Sequence, residues 1–138
     1  MNHNDIYYMN EAYKEAKRAY TKNEIPIGVV IVNDNKIISR AHNLRDSSNV
    51  VTRHAEIIAI EKANKKLGNW RLIGATLYST LEPCKMCTEV IKETKISKVV
   101  YAAKREGSST SFIQIDHSDI VEKCSEIIKS KFKEIRDK

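Results

Sequence analysis

Residues 75–103 read ATLYSTLEPCKMCTEVIKETKISKVVYAA. Two short apolar runs, 75–80 and 98–103, enclose a segment with helical spacing. Pro83 suits a first helical position, so the helix is expected from Pro83 to about Thr94. A helix crossing over between two buried strands makes those strands parallel. That unit sets the fold class, and the flanking sequence extends it.

Upstream, residues 27–32 (Ile-Gly-Val-Val-Ile-Val) are almost continuously apolar, as expected for a central strand buried on both faces. Asn33-Asp34-Asn35 is a turn cluster, and residues 36–41 read as an antiparallel partner strand. Residues 43–51 read as polar loop. Thr52 is the expected N-cap of a helix running to about Lys66, with Gly68 as its stop. At the start of the chain, Ile6, Met9, Tyr13, Ala16 and Tyr20 recur at steps of three and four, giving a helix over residues 4–21. Downstream, residues 104–110 are loop. Phe112 to Ile115 is a short last strand, and Ile120, Cys124, Ile127, Ile128, Phe132 and Ile135 form the core face of a final helix. Alternating strands and helices imply an α/β domain, residues 1–138, built as a three-layer α/β/α stack on a mixed sheet of four to five strands. About seven residues join the last two strands, too few for an ordinary parallel crossover. An antiparallel or edge placement of the last strand is therefore expected.

The chain has 138 residues, enough for one core without disulfide staples. Of its three cysteines, two stand in a C-x-x-C pair, so no disulfide framework is implied, and a reducing cytoplasm suits free thiolates. Residues 1–22 are amphipathic with acids present, unlike a signal or transit peptide, and no segment is long and apolar enough for a membrane span. The formal net charge is +6, which fits either a polyanionic partner or a solvated lysine-rich surface. Basic residues gather at 92–105 and 123–138. Lys104, Arg105, Lys133 and Arg136 are the candidate nucleic-acid contacts.

The chemistry lies in His54-Ala55-Glu56 and Pro83-Cys84-Lys85-Met86-Cys87. Cys84 and Cys87, at i and i+3 in a first turn, put both sulfurs on one side. There the helix dipole and free N–H groups favour thiolate. His54 opens the other helix, so all three can meet beyond two helix starts. One imidazole and two thiolates fill three corners of a tetrahedral Zn²⁺ site. The fourth is left to water, as in catalytic zinc. Glu56 is then placed to carry protons, because a carboxylate can accept and donate within one turnover. A redox pair or half of a zinc knuckle would also contain C-x-x-C. A knuckle needs a second pair, however, and the remaining cysteine, Cys124, sits in a helical pattern. Neither alternative uses Glu56.

His-x-Glu with Pro-Cys-x-x-Cys is the signature of zinc nucleobase deaminases. The chain resembles the cytidine-deaminase-like superfamily, and more narrowly the bacterial tRNA adenosine deaminases that make inosine at the anticodon wobble base. The resemblance is carried by Glu24-Ile25-Pro26-Ile27-Gly28, Ala41-His42-Asn43-Leu44-Arg45, Thr52-Arg53-His54-Ala55-Glu56-Ile57, Asn69-Trp70-Arg71-Leu72 and Leu77-Tyr78-Ser79-Thr80-Leu81-Glu82-Pro83-Cys84. It implies the cytidine-deaminase-like fold, one Zn²⁺ per subunit on His54, Cys84 and Cys87, and Glu56 as proton shuttle. It also implies that Asn43 and the Ala55 backbone N–H contact the base, that the substrate is a tRNA anticodon loop, and that the protein is a homodimer. Trp70 is expected to pack rather than to stack on a base. The chain departs from the family pattern at Arg53, at Thr88-Glu89, and at Lys104-Arg105-Glu106-Gly107, where an extra helix is missing. Tyr101-Ala102-Ala103 with Ser111-Phe112-Ile113 faintly resembles guanine deaminases, so a free guanine- or cytosine-type nucleobase or nucleoside is the alternative substrate. A non-catalytic zinc-stabilised RNA-binding domain is a third reading, against which Glu56 argues.

Overall fold

A computed structural model describes residues 3–108 and 110–137. Its elements are α1 (His3–Thr21), β1 (Gly28–Asn33), β2 (Lys36–His42), α2 (Arg45–Ser48), α3 (Ala55–Leu67), β3 (Thr76–Leu81), α4 (Lys85–Glu93), β4 (Lys98–Ala103), β5 (Ile113–Gln114) and α5 (Ser118–Arg136). Among the described residues the strands form one sheet in the order β2-β1-β3-β4-β5. β1 pairs antiparallel with β2 and β3, whereas β3 and β4 are parallel, as a helical crossover requires. The sheet is therefore mixed, with helices on both faces, and the three-layer expectation stands.

Alternation along β1 explains its unbroken apolar run. Val30 and Val32 join the core under α1 and α5, with Tyr8, Met9, Ile120 and Cys124. Val29 and Ile31 face the opposite core, with Ala55, Ile58, Cys87 and Ile91 of α3 and α4. α1 sits very close to the sheet. Its Ala12, Ala16 and Ala19 are wholly buried, and Gly28 lies directly beneath it.

Several local expectations are corrected. β5 is an edge strand, but it runs parallel to β4, through Val100↔Ile113 and Tyr101↔Gln114. The short connection suffices because β5 is two residues long and pairs with the middle of β4. The chain needs only to double back, a span within reach of nine residues at about 3.3 Å each. His54, not Thr52, is the N-cap of α3, and Cys84, not Pro83, directly precedes the first helical residue of α4. Residues 43–51 are not all loop, since α2 lies within them. The buried stripe of α1 includes Tyr8, Ala12 and Ala19, while Ile6, Tyr13 and Tyr20 are half-buried. On α5, Ile120, Cys124 and Ile128 are buried, but Phe132 and Ile135 are each 52 % exposed, because the last turns outrun the core. Trp70 does not pack inside. It is 54 % exposed, with the Arg71 guanidinium 4.3 Å from its ring centroid. No helix among the described residues is long and apolar enough to cross a membrane.

Candidate active site

α3 and α4 start side by side near the C-terminal ends of the parallel strands, where open α/β sheets place their ligands. The two caps are both extended (φ −73°, ψ 150° at His54; φ −71°, ψ 173° at Cys84), so their side chains lean beyond the helix ends. The Thr88 N–H closes the first turn of α4 on the Cys84 carbonyl at 2.8 Å and carries Cys87 round to the same side. His54 Nδ1 lies 3.5 Å from Cys87 Sγ and 3.8 Å from Cys84 Sγ. Among the described residues these three form the group positioned to hold a metal ion, with donor atoms within 4.8 Å of one another.

The donor set fits zinc. Tetrahedral Zn²⁺ with bonds of about 2.0–2.3 Å has donor–donor edges of about 3.5–3.8 Å. One nitrogen and two sulfurs leave a fourth position open. The thiols are already biased towards this role. A hydrogen bond from Cys87 holds the Cys84 thiol down to about 4, against the upward push of burial, and the Cys87 N–H, His54 and Arg105 add to the effect. Cys87 is pushed the other way, first by donating to Cys84 and then by burial. A cation held by both sulfurs would favour the thiolate form of each.

Glu56, in the first turn of α3, is buried and in contact with the Cys87 thiol. Burial pushes its carboxyl up; its own backbone N–H and the charges of His54 and Arg105 pull it down, while the Cys84 thiolate reinforces burial. A carboxyl raised above its ordinary value, beside a group able to hold a metal, is chemically suited to accept and return a proton.

A cavity of about 520 Å³ opens beside His54. Ala55 and Asn43, which the family resemblance implies contact the base, are among its lining residues. Asn43 is buried and turned inward by two local bonds: its N–H to the Ile27 carbonyl at 3.2 Å, and its Oδ1 accepting the Arg45 N–H at 3.3 Å. Of the four candidate basic contacts, Lys104 and Arg105 line the cavity, whereas Lys133 and Arg136 are exposed at the end of α5 and do not. The lining residues Arg45, Lys129 and Phe132 were missed. So were two fully buried acids, Glu24 and Glu82, although an acid inside Leu81-Glu82-Pro83 was a visible signal.

Residues 2–103 match the cytidine and deoxycytidylate deaminase zinc-binding region. The chain is 41 % identical to the tRNA-specific adenosine deaminase of Bacillus subtilis, over 97 % of this chain and 92 % of that one. It is 37 % identical to the protein of that name from Aquifex aeolicus, over 95 % of each. A solved structure from a study of A-to-I editing by tRNA:A34 deaminases superposes with a TM-score of 0.80 at 33 % identity, covering 88 % of this chain and 99 % of that chain. A guanine deaminase structure from Bacillus subtilis gives 0.70 at 30 % identity, covering 91 % and 93 %. With its His/Cys/Cys group and this likeness over nearly its whole length, the chain belongs to the zinc-dependent cytidine and deoxycytidylate deaminase family and, within it, to the branch of the tRNA-specific adenosine deaminases.

Proposed function

We propose that this protein deaminates adenosine to inosine at the wobble position of a tRNA anticodon, using His54, Cys84 and Cys87 to hold zinc and Glu56 to move protons. One observation carries the reading: the His/Cys/Cys group adjoins a cavity bordered by Arg45, Lys104, Arg105 and Lys129. A flipped-out base can enter while cations meet its phosphates.

Zinc held by His54, Cys84 and Cys87 would lower the pKa of a water towards about 7 and so supply a nucleophile near neutral pH. Glu56 accepts the proton of that water and delivers it to the ring nitrogen next to the amine-bearing carbon. A carbon–oxygen bond forms, Glu56 then assists proton transfer to the amine, and the carbon–nitrogen bond breaks to release ammonia. Asn43 and the Ala55 N–H orient the base. The Arg105 charge, felt at both Glu56 and Cys84, steadies the negative charge between them.

A homodimer accompanies this reading. Val50 and Val51, just before the His54 helix, and Met86, in the first turn of the cysteine helix, are exposed apolar side chains of the kind a second copy covers. A cytoplasmic location goes with this reading, supported by free thiols that suit a reducing compartment.

The test is ammonia release by zinc-loaded protein from an anticodon stem-loop, adenosine, guanine, cytosine and cytidine, at low and high salt. Turnover of the stem-loop is expected, with KM rising steeply with salt as phosphate contacts are lost. Turnover of a free base without RNA would replace this substrate with the guanine-deaminase type. No turnover of anything would refute the enzyme.

A further inference from the structure

Two fully buried carboxylates take no part in the chemistry above, and each ends on a short segment at the cavity rim: Glu24 on α2, Glu82 on the loop after β4. Glu82 follows β3. Its Oε1 accepts the Arg105 N–H at 3.2 Å and its Oε2 accepts the Thr110 hydroxyl at 2.6 Å. Its backbone carbonyl accepts Arg105 Nε at 3.0 Å, and its N–H donates to the Ala103 carbonyl at 2.8 Å. Glu24 lies on the approach to β1. It accepts the Asp46 N–H at 3.1 Å, the Ser47 N–H at 2.5 Å and the Ser47 hydroxyl.

α2 is otherwise held by local bonds, such as the Arg45 N–H to Asn43 Oδ1 and the Ser48 N–H to the Leu44 carbonyl. α2 buries none of its residues. Residues 104–108 stand between two cavities, because Arg105 and Glu106 line both the cavity beside His54 and a second one of about 400 Å³ behind it. Burying a carboxylate is costly unless its oxygens are satisfied. Here those oxygens are satisfied by the backbone and hydroxyls of the two segments that carry Arg45, Lys104 and Arg105.

We infer that Glu24 and Glu82 are positioning residues: each anchors one basic rim of the cavity, Glu24 the Arg45 side and Glu82 the Lys104–Arg105 side, and so sets substrate capture without touching substrate. The inference rests on the nucleic-acid reading only for the identity of the substrate. The anchoring itself is independent of it.

Zinc-loaded, full-length Glu82→Ala, Glu82→Gln, Glu24→Ala, Thr110→Val and Ser47→Ala proteins test it, by metal content, amide hydrogen exchange and kinetics on the stem-loop. Glu82→Ala should speed exchange over residues 104–108 and leave 45–48 unchanged; Glu24→Ala should do the reverse. Each should keep its zinc and raise KM roughly ten-fold or more, with a smaller fall in kcat. Glu82→Gln keeps an acceptor for the Arg105 N–H and should recover most of the loss. Thr110→Val should show a weaker form of the Glu82→Ala defect. Adding Thr110→Val to Glu82→Ala should change little, since both act through one contact. Unchanged exchange in both rims, zinc loss, or equal damage from Gln and Ala would overturn the inference. If the Ala variants do not fold, Thr110→Val and Ser47→Ala decide: normal exchange and normal KM in both overturn it. Should the wild type ignore RNA while rim exchange still responds as stated, the proposed substrate falls and the anchors stand.

Discussion

Replacing Gly28 by alanine should destabilise the protein by about 2–3 kcal/mol. A Cβ on Gly28 would lie 2.0 Å from the Ala12 carbonyl oxygen, 2.5 Å from Ala16 N and 2.8 Å from Glu15 Cβ. The first two are backbone atoms of α1, so no side chain can swing aside. Ordinary contact is roughly 3.3 Å or more, so α1 must withdraw by about 1 Å, and a gap of that size forfeits up to half of each dispersion contact it opens. Met9, Ala12, Ala16 and Ala19, all at 0 % exposure, lie along that seam. Overpacking of this kind costs about 3 kcal/mol, and the stiffer unfolded chain of the alanine variant returns about 0.4–1. Urea denaturation should show the midpoint falling by about 1 M, and calorimetry should show Tm falling by about 10 °C. Zinc content should not change, because α3 and α4 pack on the opposite face. A variant melting with the wild type would refute the close seating of α1 on β1.

Four further outcomes follow from the site and its surroundings. Glu56→Gln should keep zinc and fold but lose roughly 10²–10⁴-fold in kcat; full activity would remove Glu56 from the chemistry. A strong chelator should abolish turnover and lower Tm, and added Zn²⁺ should restore both, because a ligand bound only to the native state stabilises it by mass action. Cys87→Ser should bind zinc weakly and melt at the chelated Tm, which a zinc titration followed by calorimetry checks. Acid should weaken the α1–β2 contact. Burial raises the Glu15 carboxyl, but the His42 hydrogen bond (3.0 Å) and the Arg18 and Arg40 charges outweigh it and leave it below its ordinary 4.5. A depressed carboxyl contributes stability that is complete above the unfolded value and lost as pH falls through the folded one. Tm should therefore drop more steeply below about pH 4.5 in wild type than in Glu15→Gln, and parallel curves would refute the pairing.

The cysteine pair and the βαβ unit were legible because both are local. A two-cysteine first turn and a helix between apolar strands are written in consecutive residues. What escaped was non-local. The stripe of α1 drawn from the sequence was right at Met9 and Ala16 but ran through the bulky Tyr13 and Tyr20, whereas close approach to Gly28 favours the small Ala12 and Ala19 beside Ala16. The ion pairs of Glu11 and Glu15 with Arg40 and His42 join α1 to β2 across more than twenty residues. Glu24 and Glu82 satisfy backbone groups more than twenty residues away, which no periodicity records. Phe132 kept the helical spacing of a core residue, yet the sheet ends before it and leaves it at the cavity. The direction of β5 depended on its shortness, which composition alone does not reveal.

The sheet divides labour between its two sides. Ala55 and Cys87 are built into the layer of α3 and α4, whereas α5, which supplies Ser125, Ile128, Lys129 and Phe132 to the cavity wall, is anchored in the layer of α1. A change on α5 can reshape what enters with little disturbance to what reacts, since the buried residues of the two cores are distinct and Ile27 packs against both. Such a scaffold can keep its reagent constant while its clientele drifts, which makes α5 the natural place to retune it.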